Sequence, residues 1–135
     1  MKTIKFFIPV LAACMAVFVS CGDNDDDEDY RDAWVGTYVG DSDYHFSANG
    51  GANTIDTVYF NDSLSVAKNS DKNLTFVYRG QSLMAECTEE GVFSHDNYPN
   101  GGFQGRFSGD SLYFNFSESE QGRSVTYVFK GKKIK

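Results

Sequence analysis

From Trp34 onward, apolar and polar residues alternate with a period of two, broken by turn residues every eight to twelve positions, the rhythm of half-buried strands. "WVGTYVG" puts Trp34, Gly36 and Tyr38 on one face and Val35, Thr37 and Val39 on the other. After the Gly-rich "SANGGAN" comes "TIDTVYF", and "NDS" reads as a turn into "LSVAK". "NSDK" then leads into "LTFVYR", where Leu74, Phe76 and Tyr78 share a face, and "GQ" turns the chain into "LMAECT". The last third carries the clearest rows: Leu112, Phe114 and Phe116 in "SLYFNFS", then Val125, Tyr127 and Phe129 in "SVTYVFKG". The pattern predicts about eight to ten short strands and no helix. Sequential strands with tight turns form an antiparallel meander whose edges must be closed or covered. An all-β antiparallel barrel over residues 33–135 is the predicted fold, with a two-sheet β-sandwich as the alternative, since turn spacing serves both.

Composition agrees. Twelve Phe, eight Tyr and one Trp in 135 residues suit a pleated, half-buried surface. The length allows one domain plus extras.

The first thirty residues obey a different rule. Lys2 and Lys5 form a short basic region, and Phe6 to Val19 carries no charge. That run is too short for a bilayer-spanning helix, which needs about 20 apolar residues, so residues 1–20 read as an export signal. "VSC" at Val19–Cys21 resembles the lipobox of bacterial lipoproteins, which implies lipid attachment at Cys21. The competing "LAAC" ending at Cys14 leaves a shorter apolar core and would strand "MAVFVS" in water. The acids that follow, Asp23 to Asp29, resemble the export tag of Bacteroidetes-type surface lipoproteins. Such a block stays solvated and extended by self-repulsion, so residues 21–32 are expected to form a lipidated cysteine and an acidic tether. "DNDDDED" is no calcium loop, since Glu28 and Trp34 stand where an EF-hand needs Gly and Glu.

The resemblance implies an outer-membrane protein, anchored to the membrane through Cys21 and exposed on the cell surface. Without Lys2 and Lys5, ten Lys/Arg remain against nineteen Asp/Glu, which disfavours nucleic acid as a partner. Cys14 leaves with the signal and Cys21 carries lipid, so Cys87 stands without a disulfide partner. At the end of an alternating strand, it reads as a buried, inert thiol.

The meander with "WVGTYVG", "FSGDSLYF" and "YVFKG" resembles small lipocalin-like barrels, with Trp34 ahead of Gly36, the reverse of the Gly-x-Trp order of lipocalins proper. An eight-stranded barrel is just wide enough to be filled by side chains or to hold one small ligand. Inward rows of Phe, Tyr and Leu predict a mostly filled interior with a shallow cup at one end.

Candidate chemistry is sparse. His45 in "DSDYHF" and His95 in "SHDNYP" both adjoin acids, and a joint ligand site would gather Asp41, Asp43, His45, His95 and Asp96 at a barrel mouth. The alternative is two exposed turn histidines, and no metal-ligand spacing is present. Tyr44, Tyr98 and Phe103 are expected in or beside loops, where they could stack on a sugar or cap the barrel. "DTV" at Asp56–Val58 and "DSL" at Asp62–Leu64 and Asp110–Leu112 resemble O-glycosylation acceptors of the same bacteria, pointing to Ser63 and Ser111 more than Thr57. No nucleophile elbow, P-loop or dinucleotide fingerprint occurs, so neither enzyme activity nor a cofactor is expected. The expected role is a surface binding or interaction module for glycan or nutrient capture. The alternatives are a structural subunit docking on an envelope protein, or a carrier of a small apolar ligand.

Overall fold

A computed structural model describes residues 28–70, 72–98 and 101–135; the expected export signal (1–20), Cys21 and the first acids of the expected tether lie outside the described residues. The body is all-β. Its strands are β1 (Gly36–Ala48), β2 (Asn53–Lys68), β3 (Asn73–Tyr78), β4 (Gln81–Glu86), β5 (Val92–Tyr98), β6 (Gly101–Ser108), β7 (Ser111–Glu120) and β8 (Arg123–Lys133). They form one antiparallel sheet in the order β4-β3-β2-β1-β8-β7-β6-β5. The sheet curls until its two ends meet at a single bridge, Cys87 opposite Phe93. This is the expected lipocalin-like barrel, nearly closed, and one continuous sheet replaces the sandwich alternative.

One expectation about the strands changes. "NDS" is not a turn: β2 runs straight through it, and the irregularity is a β-bulge in which Phe60 and Asn61 stand opposite Asp41, with Asn61 at φ 55°. Bulges and turns draw on the same residues, because both need a positive φ or a side chain that bonds its own backbone. Gly40 fits here because a Cβ on it would lie 1.9 Å from the Lys130 carbonyl oxygen. With the bulge absorbed, β1 and β2 make a hairpin of 13- and 16-residue strands, far longer than the 6-residue β3 and β4.

The inward rows hold the core. Leu74, Phe76, Tyr78, Leu112, Phe114, Phe116 and Phe129 are all buried, with Tyr38, Leu64, Phe93, Phe103 and Phe107. The Phe76 ring lies 4.3 Å from that of Phe93 and 5.7 to 6.2 Å from those of Phe103, Phe107 and Phe114. Cys87 is buried as expected, and desolvation pushes its thiol up to about 11.

One end of the barrel is sealed. Tyr30–Ala33 form a 3-10 turn capped by the Asp29 carboxylate on the Arg31 amide, and Arg31 donates to the carbonyls of Asn69 and Asn73. Trp34 stacks on Phe107 at 5.0 Å, and its carbonyl accepts from the Tyr38 hydroxyl. Lys68 pairs with Asp32, and Lys133 donates to the Ala33 carbonyl. Residues 29–32, expected in the tether, therefore pack on the barrel as part of the folded body.

Truncating the ring at the centre of the core, Phe76→Ala, is expected to cost about 3–5 kcal/mol. Phe60→Ala, 73 % exposed on β2, should stay within about 0.5 kcal/mol of the parent. Urea unfolding of the two variants checks the contrast.

Candidate functional site

The unsealed end owes its shape to unequal strand lengths. β3 pairs with β2 only over Leu64–Lys68, so from Asn53 to Ser63 β2 is paired, among the described residues, on one side alone, with β1. Here the barrel wall is missing and the sheet is a half-pipe. Cross-strand partners share a face, and one inner row can be followed through the register: His95, Phe103, Phe116, Tyr127, Tyr44 and Thr57. The next row toward the mouth holds Val125, Phe46 and Ile55, and a cleft of about 480 Å³ lies there beside Glu118 and Arg123.

The floor of the half-pipe is a polar knot. The Asp62 Oδ2 accepts from Ser42 Oγ at 2.7 Å, from Tyr78 at 2.9 Å and from Arg79 Nε at 3.1 Å. Tyr78 also lies 2.8 Å from Ser42 Oγ, so two hydroxyl protons are shared over three contacts. Ser42 is fully buried. Burial pushes the Asp62 carboxyl up, but the bonds from Ser42 and Tyr78 and the charge of Arg79 outweigh it and hold it below its ordinary value. Desolvation, the largest influence on Tyr78, pushes its phenol up to about 12.

Arg79 lies over the Tyr59 ring, its Cζ 3.7 Å from the centroid, and within 5.3 Å of Tyr127. Tyr44 meets Tyr59 at 60° and Tyr127 at 43°. Tyr44 packs edge-on against Tyr59 and tilted against Tyr127, and the guanidinium covers Tyr59. They do not form a flat platform.

The expected site residues fall in several places. Tyr44 is in the middle of β1, not in a loop, and faces the half-pipe. Phe103 is in β6 and buried against Phe76, Phe93, Phe114 and His95, so it is part of the core. His95 faces inward and stacks on Phe103 at 5.6 Å, whereas His45 faces outward on β1, 2.5 Å from Asp56 of β2. The two histidines stand on opposite faces of the sheet, and the joint site with Asp41 and Asp43 does not form. The side chains of Asp96 and Tyr98 lie outside the described residues. Among the described residues, no group of three or more His, Cys, Asp or Glu is placed to hold a metal. Ser63 is exposed within β2, Ser111 opens β7 beside Asp110, and Thr57 is exposed on the overhang. Sequence reasoning missed Arg79 and Asp62, whose meeting depends on strand register; the only signal was a charged residue at a hairpin turn.

The polar knot has a pH signature. A carboxyl held below its ordinary pKa adds stability above about pH 4 that is lost as pH falls through the folded value. A phenol held above about 10 adds stability that is full below pH 10 and is lost as pH rises toward 12. Asp62→Asn should flatten the acid limb of a Tm-against-pH curve, and Tyr78→Phe the alkaline limb. A Tyr78→Phe curve that falls above pH 10 as steeply as the parent's would contradict the assignment.

No protein-family model matches this chain, and the search of curated proteins finds none similar to it.

Proposed function

We propose that this chain is a lipid-anchored interaction module of a Bacteroidetes-type outer membrane, which presents a small barrel at the cell surface and engages an envelope protein through its unsealed end. The lipid on Cys21 supplies the address. One acyl chain contributes about 0.8 kcal/mol per buried CH2 and holds only reversibly, whereas the multiply acylated cysteine of the lipoprotein resemblance holds firmly.

A single observation carries the choice of partner. Ile55 on the inner face and Val58 and Phe60 on the outer face are 53, 46 and 73 % exposed on the half of β2 that, among the described residues, pairs with β1 alone. Apolar side chains gathered on an unpaired edge mark a contact surface for protein. The other readings have less support. A carrier needs internal room, and the middle of this barrel is filled by phenyl rings. A glycan site favours coplanar open rings, and the tyrosines of the rim are tilted, with Arg79 over the Tyr59 ring. Glycan capture thus ranks behind a protein partner.

Cys21→Ala is expected to release the protein from membranes into the aqueous phase of a detergent partition, whereas Cys14→Ala should leave it bound. Release by Cys14→Ala instead would move the anchor. The lipidated protein should recover one stoichiometric envelope protein and stay silent on a glycan array; the reverse would restore the glycan reading.

A further inference from the structure

The interaction reading leaves open what kind of surface the partner offers, and the geometry of β2 narrows it. Natural sheets guard their edges with lysine, proline, bulges or a covering element. Along "NTIDTVYFN", Asn53–Asn61, there is no proline and no lysine, the only charge is Asp56, and the one guard is the bulge at Phe60 and Asn61, which leaves Asn53–Tyr59 regular. The segment is rich in β-branched and aromatic residues, roughly 30 Å long at 3.3 Å per residue, and among the described residues its outer edge of backbone groups pairs with no other strand. Such an edge in an exported protein invites aggregation unless something pairs with it.

We propose that this edge is a strand-addition site, and that its occupant is an extended segment of a partner protein with apolar side chains on one face and lysine or arginine on the other. The two faces of β2 set that pattern. On the inner face, Ile55, Thr57 and Tyr59 continue the apolar half-pipe and call for apolar side chains beside them. On the outer face, Val58 and Phe60 lie beside Asp43, directly opposite Val58 on β1, and beside Asp56, which His45 already meets. A long basic side chain lays its alkyl stem over Val58 and brings its charge to Asp43. Main-chain hydrogen bonds would supply the pairing, and alternate side chains the selectivity.

A second copy of this chain fits less well. Two β2 edges paired antiparallel, the arrangement more stable per residue, would place one copy's sealed end beside the other's open end. The tether leaves from the sealed end, at Asp29. Two anchors would then point opposite ways, which a single membrane surface disfavours. This argument rests on the proposed lipid at Cys21.

The test uses the full-length lipidated protein in detergent micelles and a blocked nine-residue peptide alternating Val or Ile with Lys. Amide exchange read by NMR should slow at alternate residues of Asn53–Asn61 when the peptide is added. Methylating the peptide nitrogens along one edge should abolish the effect, because it removes only the ladder donors. Ile55→Lys with Phe60→Lys, both at exposed positions, should weaken binding at least about tenfold. Equal binding of the methylated peptide, or no binding at all, overturns strand addition. So does a dimer in sedimentation whose edge amides are protected without peptide, which would make the occupant a second copy. In cells, the photocrosslinker benzoylphenylalanine in place of Phe60 should capture the same envelope protein that the lipidated chain recovers. Capture only when the crosslinker replaces Tyr113, on the outer wall, would sink the strand inference and leave the interaction reading standing. Capture at neither position would remove both.

Discussion

Phe76 is reached by four other phenyl rings, from β5, β6 and β7, and this meeting is what the curled sheet exists to enclose. A flat sheet would leave each inward row half in water. Curling it buries the rows of opposite walls against one another, with offset and edge-on ring contacts adding to the area removed from water. The seam between β4 and β5 needs little backbone pairing at this level, because the rings hold the two walls together. One bridge, Cys87 to Phe93, and the Tyr30 hydroxyl on the Cys87 carbonyl complete it.

Closure reaches only as far as all eight strands reach. Beyond the turn at Arg79 and Gly80, β3 and β4 have ended while β1, β2, β7 and β8 continue. The core would open to water at that height without a plug, and the Asp62–Ser42–Tyr78–Arg79 knot provides it. A charged plug is stable because each acceptor and donor is met and Arg79 remains partly solvated. Above it the strands have no opposite wall, and the apolar residues of β2 remain exposed for that reason. The filled middle and the bare edge are two results of one mismatch in strand length.

Much of the middle was legible in the chain. Leu74–Phe76–Tyr78 and Leu112–Phe114–Phe116 alternate cleanly, and a strand with one wet face admits no other reading. Parity within a strand says nothing about parity between strands, and so His45 and His95 looked like neighbours. Their separation follows from a register that runs through β1, β8, β7, β6 and β5. "NDS" misled for a chemical reason, since Asn61, Asp62 and Ser63 are good turn residues that here absorb a bulge. Ile55, Thr57 and Tyr59 have the same period as the core rows, yet no wall faces them; hydrophobic pattern alone cannot show where a partner strand stops. The Arg79–Asp62 contact lies beyond local pattern altogether.

The seal of Asp29, Arg31 and Trp34 has a mechanical side. Tension applied through the residues before Glu28 enters the fold at a turn held to Asn69, Asn73, Cys87 and Lys133, and passes next into β1. That strand is hydrogen-bonded on both flanks along most of its length, to β2 and to β8. Pulling it out lengthwise shears two ladders at once, where an edge strand would unzip one bond at a time. Such a pull is therefore borne by the part of the sheet best able to resist it.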